Sequence, residues 1–284
     1  MKPFLKWIGG KRNMAAKLQS LTGSWNGTYH EPFLGGGALF WSFMGDGENS
    51  LMSRTLTTAH LSDSNTRLIA TWKALQEDPT NLQTKIQEHL LNHSPEYYAE
   101  VRARDIDSQP MVDIAAWFIY INRAGFNGLY RVNKKGICNT PIGRCSNPAR
   151  PPWGKWSPDA LTGFSDLLND AEIKIYSGSY IGIQDRVSKG DLVYFDPPYA
   201  PLSATAKFTS YTSEGFSWQD QSILAELSKD LVKRGVTVIA SNHDVEGLRE
   251  MYEGFEAHTI SASRNVRPSA ARKVQELIFV GKPK

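Results

Sequence analysis

The chain has 284 residues, 40% hydrophobic and 21% charged, proportions that exclude a disordered, collagen-like or coiled-coil protein and leave room for one large domain or two ordinary ones. The formal net charge of +3 conceals an uneven distribution: residues 114–158 hold Arg123, Arg131, Lys134, Lys135, Arg144, Arg150 and Lys155 but neither Asp nor Glu, so the remainder is net acidic. Cys138 and Cys145 lack CxxC spacing and a neighbouring histidine, which argues against structural zinc and a disulfide framework. The longest apolar run, residues 115–121, is far short of the ~20 residues of a membrane span, and these features together read as a cytosolic protein.

In chain order, residues 28–33 predict a short strand, followed by the turn Leu34-Gly35-Gly36-Gly37 and an apolar helical stretch at 38–43. A second strand at 58–62 runs into Asp63, after which Leu68, Ile69, Trp72 and Leu75 mark one face of a helix. Helical patterning continues to about residue 123, with Pro79, Pro95 and Pro110 near helix starts. Beyond the basic segment, strand-like runs at 173–176, 192–195, 236–240 and 274–280 are separated by helical stretches such as 218–234. Strands alternating with helices predict a doubly wound, mostly parallel α/β sheet. The simplest organisation is an α/β domain made of residues 1–63 and 157–284, interrupted by a helical and basic insertion at 64–156.

Two segments carry chemistry. The turn from Glu31 to Gly37 sits between strand and helix, where backbone can approach a nucleotide-like ligand. Asp63, 26 residues beyond Gly37, ends the next strand; there its carboxylate can accept hydrogen bonds from two ribose hydroxyls, or cap the helix that follows. A phosphate P-loop is excluded, because Gly10-Lys11 is followed by Arg12 and has no glycine at the required spacing before it.

The sharper segment is Asp196-Pro197-Pro198-Tyr199, directly after the apolar run at 192–195. In an open α/β sheet the carboxyl end of a strand lines the ligand crevice. Two prolines remove two N–H donors and leave carbonyls and a carboxylate as an acceptor-only surface. That surface complements an exocyclic amino group: Asp196 and the Pro197 carbonyl each accept one N–H while Tyr199 stacks on the ring. The basic segment mixes its cations with Phe126, Asn127, Tyr130, Asn133, Asn139, Trp153 and Trp156. Such a mixture suits nucleic acid, although composition alone fits a solvated loop equally well.

Taken together, these motifs identify a family. The segments Phe4-Leu5-Lys6-Trp7-Ile8-Gly9-Gly10-Lys11, Glu31-Pro32-Phe33-Leu34-Gly35-Gly36-Gly37, Leu61-Ser62-Asp63-Ser64-Asn65, Phe126-Asn127-Gly128-Leu129-Tyr130-Arg131, Asp196-Pro197-Pro198-Tyr199-Ala200-Pro201-Leu202-Ser203 and Ser241-Asn242-His243-Asp244 occur in family order along nearly the whole chain. The chain resembles the Dam-type DNA adenine-N6 methyltransferases, the alpha group of the D12 class, which use S-adenosyl-L-methionine and methylate the adenine of GATC. The resemblance implies a Rossmann-like methyltransferase sheet with an inserted helical and β-hairpin domain for DNA recognition. It also implies that Trp7, Lys11, Phe33, Gly35, Gly37, Asp63, Tyr180 and Asp196 surround the methyl donor, and that Asp196, Pro197, Pro198 and Tyr199 hold the flipped adenine.

By the same resemblance, Lys6 contacts the first guanine, and Leu129, Arg131 and Pro141 read later base pairs from a hairpin in the major groove. Phe126 and Asn127 wedge into the duplex, while Arg123, Asn133 and Arg144 contact backbone phosphates. Cys145 departs from the family, standing where an aromatic residue is expected, and residues 45–57 form a longer connection than usual, read as a surface loop. The implied partner is double-stranded DNA, with no metal, no membrane and no obligatory protein partner. The chain would be bacterial or phage-encoded and nucleoid-associated, standing alone or beside a cognate restriction endonuclease. Two competing readings are a catalytically silent methylase-like DNA-binding regulator and a methyltransferase acting on RNA or a protein amide.

Overall fold

A computed structural model of the chain describes residues 3–7, 9–45, 56–143, 151, 153–200, 216–263 and 273–283, apart from the side chains of 261–263, 273 and 274. The chain divides into two compact units: residues 1–10, 35–54 and 63–178 form the first, and residues 11–34, 55–62 and 179–284 the second. The segment 64–156 lies wholly within the first unit. Compactness thus draws different boundaries from the division by function expected from sequence. Most of the connection at 45–57, together with Arg144, Cys145 and residues 201–203, lies outside the described residues.

Elements are numbered in chain order. The first unit contains α2 (Ala38–Met44), α3 (Thr66–Glu77), α4 (Pro79–Leu91), α5 (Pro95–Ala103), α6 (Met111–Ala124), α7 (Ala160–Asn169) and strand β3 (Glu172–Ser177). Capping sets the starts of three of these helices. Asn65 accepts from the Leu68 amide, Asp78 from the Asn81 amide, and Ser94 from the Tyr97 amide, with proline opening α4 and α5. From Ala115 to Ala124, α6 is buried all round, the pattern of a central helix. The core of this unit is aromatic: Trp41 and Trp72 stack at 5.2 Å, and the Phe4 ring meets Trp72 edge-on at 5.2 Å.

The second unit contains α1 (Ala15–Thr22), β1 (Tyr29–Glu31), β2 (Thr58–Asp63, its last residue counted with the first unit), β4 (Leu192–Phe195), α8 (Trp218–Lys233), β5 (Thr237–His243), α9 (Leu248–Met251), β6 (Glu256–Ser263) and β7 (Lys273–Gly281). Six strands lie in the order β2-β1-β4-β5-β7-β6. The β2–β1, β1–β4 and β4–β5 pairings are parallel, whereas β7 runs antiparallel to both β5 and β6. Every residue of β4 and β5 is buried, as expected of interior strands covered on both faces. The predicted doubly wound, mostly parallel sheet is present, with an antiparallel β6–β7 hairpin added; β6 was not foreseen. Strand order turns between β1 and β4, the topological switch point where open α/β sheets bind ligands.

Candidate active site

Asp196 follows β4 directly, and the β4–β5 register, with Phe195 opposite Ala240, carries Ser241 alongside it. The Ser241 hydroxyl donates to Asp196 Oδ1 at 2.6 Å, and the hydroxyls of Tyr194 and Ser241 are 3.2 Å apart. Lys11 Nζ lies 2.9 Å from the same Oδ1. Both partners therefore occupy one carboxylate oxygen, and among the described residues Oδ2 has none. Asp196 keeps 21% of its side-chain surface exposed whereas Lys11 keeps only 5%, so the cation is held inside and the carboxylate opens outward.

The loop after Asp196 is pinned by three polar side chains. Gln221 Nε2 donates to the Pro198 carbonyl at 2.9 Å, and Asn242 Nδ2 donates to Gln221 Oε1 at 3.0 Å. The Ala200 amide donates to Asn242 Oδ1 at 3.0 Å, and His243 Nδ1 donates to the Ala200 carbonyl at 2.8 Å. With the carbonyls of Pro198 and Ala200 engaged, that of Pro197 is left without a hydrogen bond among the described residues. Tyr199 donates its hydroxyl to Glu276 Oε2 at 2.8 Å, meets the His243 ring edge-on at 4.8 Å and has Lys11 Nζ over its ring at 4.6 Å. Burial, reinforced by the Asp196 charge, pushes the Tyr199 phenol well above its ordinary range.

At the carboxyl end of β1, also in the second unit, Phe33 stacks on Tyr180 at 5.1 Å, and Phe216 meets Phe33 edge-on at 5.8 Å. Phe33 also contacts Phe195 at 6.3 Å, next to Asp196 in sequence. The sequence therefore places Phe33, Tyr180, Lys11 and the 196–199 segment in one unit around the switch point.

The first unit holds the glycine turn. Gly35 adopts φ +48°, and a Cβ there would come within 2.5 Å of the Trp7 indole nitrogen, so neither its conformation nor the space around it admits a side chain. Its amide donates to Asp63 Oδ2 at 3.0 Å, while Asp63 Oδ1 accepts from the Asn65 amide at 2.9 Å. The helix cap is Asn65, so Asp63 serves the glycine turn instead. Burial raises the Asp63 pKa, opposed by its backbone hydrogen bonds. Trp7 stacks on Phe118 at 6.3 Å, and Gly37 begins α2 in the left-handed conformation.

A narrow hairpin follows α6 in the same unit, with antiparallel bridges at Gly125–Ile142 and Val132–Cys138. Phe126 is 42% exposed at its base, and Asn127 beside it has φ +54°, unusual for a side-chain-bearing residue. Arg131 is exposed, and its Nε donates to Asn139 Oδ1 at 2.7 Å, so the opposite strand aims the guanidinium. Asn133 is exposed and turns the tip by accepting from the Lys135 and Ile137 amides at 2.9 and 3.1 Å. Leu129 is half-buried and Pro141 exposed. Lys6 joins this group: its amide donates to Asn122 Oδ1 at 2.9 Å, Asn122 Nδ2 donates back to the Lys6 carbonyl at 2.7 Å, and its stem packs on Gly128. Burial, then the nearby Arg123 charge, lowers the Lys6 pKa.

Arg123 does not join them. It is only 7% exposed, its guanidinium donates to the carbonyls of Pro3 and Phe4, and it lies 4.4 Å over the Trp156 ring. A phosphate contact does not fit that position; the side chain anchors the segment that carries Lys6. Burial lowers its pKa to about 10, so it remains charged at neutral pH.

Ser241 and Asn242 lay within a quoted motif but received no role, although their place at the carboxyl end of β5 marks them by the same rule that marks Asp196. Glu276 had a sequence signal too, an acid directly before the apolar run Leu277–Val280 of its strand. Gln221 had none, and Asn139 was counted only as one of the polar residues of the basic segment.

A doubly wound, mostly parallel sheet with a carboxylate at the carboxyl end of β4 has the Rossmann-like architecture of methyltransferases. The family model for D12 class N6 adenine-specific DNA methyltransferases matches residues 7–266, and the chain belongs to that family. Among its relatives, the type II methyltransferase M1.LlaDCHI of Lactococcus lactis subsp. cremoris is 37% identical, the alignment covering 98% of this chain and 94% of the relative. The DNA adenine methylase of Vibrio cholerae is 33% identical over 99% of this chain and 96% of the relative, and that of Escherichia coli K12 is 32% identical over the same shares. The protein is thus a DNA adenine-N6 methyltransferase, with DNA as its substrate. Among the described residues no helix is long and apolar enough to cross a membrane.

Proposed function

We propose that the protein transfers a methyl group from S-adenosyl-L-methionine to N6 of an adenine rotated out of duplex DNA, within the sequence GATC. The observation that carries this reading is the state of Asp196, whose Oδ1 is engaged by Lys11 and Ser241 while, among the described residues, its Oδ2 and the Pro197 carbonyl stay open as acceptors. Adenine N6 is a poor nucleophile because its lone pair is delocalised into the ring. Two acceptors, one for each N–H, favour a tetrahedral nitrogen with the lone pair directed out of conjugation. No strong base is required beforehand, since the N–H becomes acidic as the C–N bond forms, and Asp196 Oδ2 receives the proton. Tyr199 stacks on the base. Extrusion is necessary because N6 within a stacked duplex cannot be approached in line.

S-adenosyl-L-methionine supplies, when bound, an electrophilic methyl on a sulfonium sulfur. The residues fit such a donor by their own chemistry. In the first unit, Asp63 is a carboxylate acceptor for ribose hydroxyls beside the side-chain-free Gly35, with Trp7 against that glycine and Gly37 in the same turn; in the second, Phe33 and Tyr180 offer aromatic faces for an adenine ring. Lys11 is proposed to act through Asp196, to which it is bonded, as well as at the donor.

On the DNA side, Lys6, Leu129, Arg131 and Pro141 read base pairs, Phe126 and Asn127 fill the gap left by the extruded base, and Asn133 and Arg144 hold phosphates. Residues 64–156 then serve target recognition, and 1–63 with 157–284 serve donor binding and transfer. The names of the Vibrio and Escherichia relatives favour this reading. Mapping methylated adenines in DNA from a methylation-free host expressing the protein tests it. Modification confined to GATC is expected; modification of another sequence overturns the specificity, and absence of N6-methyladenine overturns the reaction.

A further inference from the structure

Glu276 lies on β7, the strand that returns antiparallel to β5, and sits directly opposite His243 across that pair. Residues opposite one another in an antiparallel ladder project from the same face of the sheet. From that face both reach Tyr199, Glu276 Oε2 accepting its hydroxyl at 2.8 Å and the His243 ring meeting its ring edge-on at 4.8 Å. The same Oε2 is 3.9 Å from Lys11 Nζ, which is itself 2.9 Å from Asp196 Oδ1 and over the Tyr199 ring. Glu276 is only 4% exposed. A buried carboxylate is costly unless it is paired and hydrogen-bonded, and Tyr199 and Lys11, which it engages here, are a residue of the base-holding loop and the partner of Asp196.

We infer that Glu276 is a positioning residue for methyl transfer, fixing the tilt of the Tyr199 ring through its hydroxyl and holding Lys11 between two carboxylates so that Asp196 presents Oδ2 to the base. This rests on the reading of Asp196 and Tyr199 given above. The β6–β7 hairpin thereby has a use in the reaction, since a one-residue slip of β7 against β5 would turn Glu276 to the opposite face of the sheet.

The test compares wild type with Glu276→Ala, Glu276→Gln, Tyr199→Phe and the double variant Tyr199→Phe/Glu276→Ala. It measures kcat, KM for a duplex substrate, and the fluorescence of 2-aminopurine at the target position, with thermal melting to confirm folding. Glu276→Ala is expected to lower kcat about ten- to a hundredfold while KM for DNA changes less than about threefold, and to alter the 2-aminopurine signal. Glu276→Gln, which retains an acceptor, should recover part of the loss. The effect of Glu276→Ala should shrink in the Tyr199→Phe background, because the two residues act through one hydrogen bond. Additive effects, or kcat unchanged in both Glu276 variants, overturn the inference while leaving the methyl-transfer reading intact. If Glu276→Ala fails to fold, Glu276→Gln against Tyr199→Phe decides in the same way. A wild type that methylates no duplex overturns both.

Discussion

Lys11 and Asp196 meet at 2.9 Å inside the second unit, from opposite parts of the chain, and Ser241 closes on the same carboxylate oxygen. The cation therefore neutralises one side of the carboxylate, and on the proposed reading the other side faces the substrate. Asp196→Ala should reduce turnover by at least about 10²-fold with DNA affinity largely retained, as expected when one preorganised group is removed from the reacting centre; full activity in that variant would refute the acceptor role. Lys11→Met should cost both activity and stability. The stability loss, measured by urea unfolding, should fall below the ~3–5 kcal/mol typical of breaking a fully buried pair, because Asp196 is 21% exposed.

On the proposed reading, Asp63 links pH to donor binding: its ionised form would accept hydrogen bonds from ribose, and burial raises its pKa above that of a free carboxylate. Affinity for S-adenosyl-L-methionine should accordingly be full at neutral pH and decline on acidification sooner than an ordinary carboxylate would dictate. Isothermal titration across this range gives the midpoint. Asp63→Asn should weaken binding about tenfold or more at neutral pH and flatten the dependence; an unchanged profile would remove Asp63 from the site.

Arg131 is exposed, and Asn139 orients it from across the hairpin. Arg131→Ala should cost about 1–3 kcal/mol of discrimination at one base pair of the target, seen as relaxed specificity in methylation of singly substituted duplexes. Asn139→Ala should move in the same direction by less, since the guanidinium survives but is no longer aimed. An equal loss on every duplex, with a shallower salt dependence, would instead mark Arg131 as a phosphate contact.

His89 predicts the acid limit of stability. Its ring stacks on Tyr120 at 4.9 Å, its Nδ1 is 2.8 Å from the Tyr97 hydroxyl, and burial lowers its pKa from 6.5 to about 4. The unfolded chain thus binds a proton that the folded chain refuses, so stability is full above about pH 6.5 and falls toward pH 4. Urea unfolding at pH 7 and pH 5 should differ by an amount on the order of 1 kcal/mol from this residue. His89→Phe should remove that part of the difference.

Local physics made much of this protein legible before any coordinates. Proline announced the starts of α4 and α5, and an uninterrupted apolar run announced β4 to the residue. These features depend on neighbours within a few positions, so they survive translation from sequence to structure, while Asp196-Pro197-Pro198-Tyr199 marked a candidate acceptor surface by residue type alone. The roles of Glu276, Ser241 and Arg123 do not. Glu276 reaches Tyr199 only through the antiparallel register of β5 and β7, and Ser241 reaches Asp196 only through the parallel register of β4 and β5. Arg123, which composition counts with the cations available to DNA, is turned inward onto the Phe4 carbonyl and the Trp156 ring. Residue type and spacing determined which groups the chemistry has at its disposal. Strand register and burial, which join parts of the chain far apart in sequence, decided which atoms of those groups the protein itself engages.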